Sequence, residues 1–251
     1  MAMLKKEIYA RYGIEYKNGK ILSPIGFINP LLKEGNSKVG KHCYTFSMPA
    51  GINGTCICNC KNCYALTGFY CMKSVKESLQ LNQTIIESHL NFARRAIQAQ
   101  IIADHIEMIR IHAAGDFKTS NSAEYAAMWK DIVKDNPAVK FWTYTKMHEY
   151  ENMFDDCQNA NIVPSVLPFN LGFNFGTCEQ LLKMYETMKK HGITPHICEC
   201  GTNEKHHCET CAGCSLNKYV LFILHSTKEY DAKKDELLPK IAAIIDAQKT
   251  V

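Results

Sequence analysis

Four cysteines lie close together in one short segment, at Cys56, Cys58, Cys60 and Cys63. If Cys58 is set aside, the other three have a Cys-x3-Cys-x2-Cys spacing. That spacing suits three thiolate ligands of a cubic [4Fe–4S] cluster with one iron left open. If Cys58 is also a ligand, the protein binds all four irons and no open position remains. The segment predicts a metal–thiolate site with two possible ligand sets.

A second cysteine group lies between residues 198 and 214. Its members are Cys198, Cys200, Cys208, Cys211 and Cys214. The Cys208-x2-Cys211-x2-Cys214 run is typical of bacterial ferredoxins, in which a more distant cysteine completes the four thiolates. Tetrahedral zinc accepts two cysteine pairs equally well. The segment therefore predicts either an auxiliary [4Fe–4S] cluster or a zinc site.

Bulk composition favours metal over disulfides. The thirteen cysteines are an odd number in a chain of 251 residues, whereas disulfide scaffolds are usually small, exported and even in count. The first residues lack the apolar stretch of a secretory signal, and no apolar run approaches the ~20 residues of a membrane span. The net charge of +4 is spread along the chain rather than concentrated on a basic face, which argues against nucleic-acid binding. We expect a cytoplasmic protein without membrane contact.

Strand and helix patterns alternate from Cys43 onward. Strands are predicted at 43–51, 106–116, 139–146, 161–169, 193–198 and 218–225. Helices are predicted at about 74–103, 121–137, 148–157, 177–192 and 235–248. This alternation indicates an α/β fold with a mainly parallel sheet and right-handed crossovers. We expect one domain, residues 1–251, with the cysteine-rich segment 198–214 inserted before the last strand.

Polar residues follow the ends of several predicted strands. In α/β folds, chemistry gathers where the parallel strands end. Gly115 and Asp116 end the second strand, Lys146 ends the third and Ser165 lies on the fourth. We expect them on one face with both cysteine groups. Lys146 is predicted either to meet a carboxylate of cofactor or substrate, or to be a solvated lysine. Ser165 is predicted to contact a ribose hydroxyl. His112 is predicted to be a core histidine.

The loop with Cys56, Cys60 and Cys63 after the first strand resembles the radical S-adenosylmethionine superfamily. The resemblance implies an incomplete (β/α)6 TIM-like barrel and a [4Fe–4S] cluster whose open iron is chelated by S-adenosylmethionine. Reductive cleavage of that cofactor gives a 5′-deoxyadenosyl radical, so an electron donor and a substrate are also implied. Gly115 and Asp116 match the segment that contacts the cofactor's amino group, with Asp116 replacing the usual glutamate.

The stretches "TFSMPAG", "CYA", "RIHAAGDF" and "FWTYTK" together resemble the gene product 88 family of phage and bacterial proteins. This likeness runs from about residue 36 to residue 214 and carries no known reaction with it. The sequence therefore supports two alternatives. One is a radical S-adenosylmethionine-type enzyme with Asp116 and Lys146 in its active site. The other is a closed-cluster iron–sulfur or zinc protein with a redox, sulfur-handling or nucleic-acid-associated role.

Overall fold

The computed structural model describes residues 3–35, 40, 42–58, 60, 63–199, 208–211, 213–223 and 228–248. Its helices are α1 (Lys5–Arg11), α2 (Lys73–Ser88), α3 (Leu90–Ala103), α4 (Ser122–Asp135), α5 (Cys178–Lys190), α6 (Cys208–Cys211), α7 (Gly213–Leu216) and α8 (Lys228–Gln248). Its strands are β1 (Tyr16–Lys17), β2 (Lys20–Ser23), β3 (Gly26–Ile28), β4 (Lys33–Glu34), β5 (Cys43–Thr45), β6 (Met108–Ile111), β7 (Lys140–Thr145), β8 (Ala160–Pro164), β9 (Val166–Leu167), β10 (Gly172–Phe173), β11 (Phe175–Gly176), β12 (His196–Ile197) and β13 (Val220–Ile223). Short 3₁₀ turns lie at Tyr64–Leu66, Gly68–Cys71 and His148–Tyr150.

The main sheet has five strands in the order β4-β5-β6-β7-β8. The pairs from β5 to β8 are parallel, and β4 is antiparallel to β5. Because side chains alternate along a strand, the sheet has two distinct faces. One face carries Ile109, Phe141 and Ile162, which belong to a large apolar core shared with α1, α3 and α4. The other face carries Met108 and Trp142, which contact the cysteine-rich segment.

The last strands form separate sheets. β11, β13 and β12 make a parallel sheet in that order, and β9 and β10 pair as an antiparallel hairpin. β13 therefore lies between β11 and β12, and the last two predicted strands do not extend the main sheet in chain order. The fold is mixed α/β with one mostly parallel sheet. Within the described residues no sheet closes on itself, and the (β/α)6 barrel stays a prediction.

The helical pattern at 74–103 is two helices rather than one. α2 ends at Ser88, His89 leaves the helical conformation, and α3 begins at Leu90. The break lets each helix pack on different neighbours. Asn82 of α2 donates to the Ser47 carbonyl in the loop after β5, at 2.9 Å, whereas α3 packs against α1 and α4.

The helix predicted at 177–192 is present as α5, and local interactions define both of its ends. Thr177 Oγ1 accepts a hydrogen bond from Gln180 N, and Gln180 Oε1 accepts one from Thr177 N, at 3.3 and 3.0 Å. Gly192 follows the helix with a φ of 78°, a left-handed conformation that glycine adopts without strain. The N-terminal part had no predicted element, and it forms α1 followed by the antiparallel sheet β1-β2-β3. Across the part of the chain that the structure describes, no helix combines the length and apolar character needed to cross a membrane.

Candidate functional site

Asp116, in the loop after β6, links the end of β7 to the loop that follows β5. Thr145 Oγ1 and Phe117 N donate to its Oδ1 at 2.7 and 2.9 Å, and Lys146 N donates to its Oδ2 at 2.9 Å. Asp116 N donates to Thr55 Oγ1 at 3.0 Å, in the loop that leads to the first cysteine. These bonds hold the cysteine loop after β5 against the ends of β6 and β7.

Gly115 makes this close approach possible. Its φ is 88°, in the left-handed region that residues other than glycine rarely adopt. A Cβ at this position would lie 2.5 Å from Thr55 Oγ1 and 2.9 Å from the Met48 carbonyl oxygen. The residue therefore has a packing role in addition to any contact with a cofactor.

The electrostatic state of Asp116 reflects two opposing effects. Burial raises the pKa of its carboxyl group, and the hydrogen bonds from Lys146, Thr145 and Phe117 partly offset that shift. All three partners donate, so the carboxylate already acts as an acceptor within the protein. Its predicted contact with a cofactor ammonium group stays a prediction, because the observed bonds also give it a structural role.

The cysteines of the first group lie at this same edge of the sheet. Cys56 is buried, and Cys58, Cys60 and Cys63 are half-buried. The Sγ atoms of Cys58 and Cys60 are 3.9 Å apart, close to the ~3.8 Å that separates two thiolates on one tetrahedral ion with metal–sulfur bonds of ~2.3 Å. Cys58 thus lies beside a predicted ligand. Among the described residues, no three His, Cys, Asp or Glu side chains are arranged to hold one ion.

Lys146 is half-buried beside this cysteine group. Burial lowers the pKa of its ammonium group, but the nearby Cys60, Asp116 and Cys56 raise it overall. Burial also raises the pKa of the Cys56 and Cys60 thiols to about 11. The thiols are therefore protonated near neutral pH, and a metal would have to displace those protons. Lys146 supplies a positive charge that favours the resulting thiolates.

Ser165 lies at the same edge, next to Thr145. Its backbone N donates to the Thr145 carbonyl at 2.7 Å, and its own carbonyl accepts from Asn174 N at 3.0 Å. The side chain is largely buried. The structure thus brings Gly115, Asp116, Lys146 and Ser165 together with the first cysteine group.

The second cysteine group lies elsewhere. A small cavity is lined by Cys198, Cys208, Cys211 and Cys214 together with Met108, Trp142, Gly213 and Ser215. Cys200 lies outside the described residues. Because Met108 is the first residue of β6, this group packs against the face of the main sheet rather than at its carboxyl edge. The expectation that both cysteine groups share the carboxyl edge does not match this placement.

Several polar residues contact the second group. The sequence predicts Tyr144 as a packing residue, and it gave no role to Asn161 or His196. Tyr144 Oη donates to Cys214 Sγ at 2.9 Å, and Asn161 Nδ2 donates to the Cys214 carbonyl at 2.8 Å. His196 Nε2 lies 3.8 Å from Cys211 Sγ. Gly213 leaves room for that imidazole, since a Cβ there would lie 2.3 Å from His196 Nε2.

Arg110 lies between the two cysteine groups. Its Nη2 donates to Tyr64 Oη at 2.9 Å, and its guanidinium carbon lies 4.9 Å from the centre of the Tyr144 ring. Burial lowers the pKa of the guanidinium, whereas the neighbouring Tyr64, Tyr144 and Cys208 raise it overall. The sequence carried one signal for this residue, a charge inside the otherwise apolar strand β6.

Comparison with known proteins agrees with the motifs at the first group. Residues 29–169 match the family model of Gene product 88. The chain belongs to the gene product 88 family. The Gene 88 protein of Mycobacterium phage L5 is 28% identical to it over 129 residues, which cover 46% of this chain and 52% of that protein. The chain therefore spans about half the length of this curated relative. No solved structure matches.

The gene product 88 family match covers the first cysteine group but not the second. The gene product 88 region includes the loop with Cys56, Cys58, Cys60 and Cys63 and the residues that surround it at the sheet edge. The segment 198–214 lies beyond the matched residues. The family membership predicted from the motifs is confirmed, and it brings no activity with it.

Proposed function

We propose that this gene product 88 protein binds a [4Fe–4S] cluster through Cys56, Cys60 and Cys63 and uses it in radical S-adenosylmethionine-type chemistry. The proposal depends mainly on one observation. The cysteine loop, Asp116 and Lys146 meet at the carboxyl edge of three neighbouring parallel strands: the Asp116 backbone N–H donates to Thr55 of the loop, and its carboxylate accepts from Thr145 and Lys146 at the end of β7. Clefts at this edge are where α/β folds usually bind cofactors.

The chemical character of the site fits an anionic iron–sulfur group. Thiolates are the ligands that iron–sulfur clusters require, and the Lys146 ammonium group lies near three of the thiols. When bound, such a cluster would supply one electron to a sulfonium and would then be reduced again by an external electron donor. Lys146 would then favour negative charge at the site, whether on the thiolates or on a carboxylate of the cofactor. Asp116 would keep the loop in register with β6 and β7.

One observation favours a second candidate without S-adenosylmethionine chemistry, a zinc site rather than a closed cluster, because thiolates that bind different irons of one cluster lie roughly 6 Å apart. Cys58 Sγ lies 3.9 Å from Cys60 Sγ, so Cys58 does not point away from the ligand group. If Cys58 binds the fourth position, the cofactor has no open iron. The second cysteine group is proposed as an auxiliary metal site in either case, with iron–sulfur and zinc as the alternatives.

The first experiment is a metal analysis of protein purified without oxygen. A bound cluster gives about four irons per site with matching acid-labile sulfide. Replacing Cys60 by alanine should remove the first cluster, whereas Cys58→Ala should keep it. Stoichiometric zinc without sulfide in the parent protein would overturn the iron–sulfur proposal.

The second experiment tests the cofactor chemistry. The reduced protein should convert S-adenosylmethionine slowly into 5′-deoxyadenosine, and the cofactor should change the electron paramagnetic resonance signal of the cluster. Lys146→Met should weaken this response without removing iron, whereas Lys140→Met, an exposed residue at the other end of β7, should not. If the parent shows no response and Cys58→Ala acquires one, the native protein has a closed cluster.

A further inference from the structure

Arg110 carries a positive charge that no carboxylate compensates in the described part of the chain. The residue is half-buried on the sheet face that packs against α6 and α7. Its Nε–H is buried and has no hydrogen-bond acceptor among the described residues. By contrast, Arg94 forms ion pairs with Asp131 and Asp135 at 2.9 and 3.1 Å.

The guanidinium is held in a defined position. Tyr64 Oη accepts from its Nη2 and in turn donates to the Ala113 carbonyl. On the other side, the guanidinium lies over the Tyr144 ring, and Tyr144 Oη donates to Cys214 Sγ. Aromatic faces and hydroxyl groups stabilise a cation only partly. Arg110 is thus fixed beside the second cysteine group with part of its hydrogen-bonding capacity unused.

Burying a charge without a partner is costly, so such a group usually faces an opposite charge in the working protein. A metal ion bound by cysteines provides that charge, because four thiolates around one divalent ion leave a net charge of about −2. Fully thiolate-ligated iron–sulfur clusters are anionic for the same reason. Cys208 and Cys214 lie on the same face of the sheet as Arg110.

We propose that Arg110 is the counter-ion of an anionic metal–thiolate centre formed by Cys198, Cys208, Cys211 and Cys214. This inference rests on the part of the proposed function that assigns metal to the second cysteine group, and it does not depend on S-adenosylmethionine. Arg110 acts here as a positioning residue that lowers the free energy of the metal-loaded state.

The test uses cobalt(II), which reports thiolate ligation by a charge-transfer absorption band. The full chain is used with Cys56, Cys58, Cys60 and Cys63 replaced by serine, so that the band reports the second group. Arg110→Met should weaken cobalt binding roughly tenfold or more, because a full charge that interacts with Cys208 is lost in a partly desolvated site. The cobalt affinity of Arg110→Lys should lie between those of the parent and Arg110→Met. Arg94→Met should bind cobalt as the parent does.

A second measurement separates charge compensation from a merely structural role. In the metal-free protein, Arg110→Met removes an uncompensated cation, so its melting temperature should equal or exceed that of the parent. In the cobalt-loaded protein, the same substitution should lower the melting temperature. If Arg110 only stabilised the fold, the substitution would lower the melting temperature of both the metal-free and the cobalt-loaded protein.

The outcomes distinguish this inference from the proposal that it extends. A clear thiolate–cobalt band with equal affinity in the parent and Arg110→Met overturns the counter-ion role alone. A parent without any thiolate–cobalt band overturns the second metal site, and the counter-ion role fails with it. If Arg110→Met does not fold, Arg110→Lys is the test variant. The counter-ion role is overturned if Arg110→Lys binds cobalt as tightly as the parent and melts at a lower temperature both with and without cobalt.

Discussion

His112 should make the protein sensitive to mild acid by an amount that follows from its surroundings. The imidazole is buried, with Nε2 2.7 Å from Tyr125 Oη and Nδ1 3.3 Å from Thr143 Oγ1. Phe117 packs edge-on against its ring at 4.5 Å. Burial lowers the pKa of His112 to about 3, from an ordinary value of 6.5. The facing titratable group, Tyr125, has a raised pKa because of its own burial and stays neutral in this range.

The direction of the effect follows from proton linkage. Below pH 6.5 the unfolded chain binds a proton at His112, whereas the folded protein does not until the pH approaches 3. Stability is therefore lost as the pH falls through this window. Between pH 8 and pH 5, the contribution of His112 alone should lower the free energy of unfolding by about 2 kcal/mol.

The assay is urea unfolding at pH 8 and pH 5, followed by far-ultraviolet circular dichroism. The test variant is His112→Asn, since asparagine tolerates the left-handed φ of 59° found at this position. The parent should lose about 2 kcal/mol more than His112→Asn between the two pH values. Tyr125→Phe is the matched control, because it alters the same contact and keeps the titrating ring. If the parent and His112→Asn lose the same amount of stability, the linkage argument is wrong.

Three further substitutions test the packing of the site and of α5. Asp116→Asn places an amide NH2 against one of the donors that now face the carboxylate. The free energy of unfolding, measured in urea, should therefore fall by about 2–3 kcal/mol. A loss below ~0.5 kcal/mol would contradict the assigned hydrogen bonds. Gly115→Ala should lower the free energy of unfolding by more than ~2 kcal/mol through backbone strain and steric overlap. Gly68, the control, also has a positive φ but lies in open space, so Gly68→Ala should lower it by only about 1 kcal/mol. Equal losses in the two variants would refute the close approach at Gly115. Thr177→Ala should lower the melting temperature through a loss of about 1 kcal/mol, and Thr177→Ser should restore it.

Local patterns predicted the elements that depend on short-range interactions. The ends of α5 were correct because a capping box and a C′ glycine act within a few residues of the helix end. The helix at Ser122–Asp135 ends before Pro137 for an equally local reason. The edge position of Asp116, Lys146 and the first cysteine loop followed from the strand–helix alternation, because parallel strands end at one side of a sheet.

Long-range pairing decided what these patterns did not contain. β12 and β13, predicted in succession, do pair in parallel. The pairing of β13 with β11 was not predicted, because it joins strands separated by tens of residues. The same applies to the second cysteine group, which packs on the sheet face because Met108 and Trp142 offer it an apolar surface.

The amino-acid sequence by itself determined the family and showed the close cysteine spacing from which metal binding is predicted. Cysteine spacing is a local property, and the motifs that identify gene product 88 lie within residues 29–169. Only the tertiary structure showed Asp116 as a hydrogen-bonding centre and Arg110 as a charge without a carboxylate partner among the described residues, between two cysteine groups. The physical reason is that hydrogen bonds and charge compensation depend on which side chains meet across the fold, and Arg110 meets Tyr64 and Tyr144 only after β6 and β7 have paired.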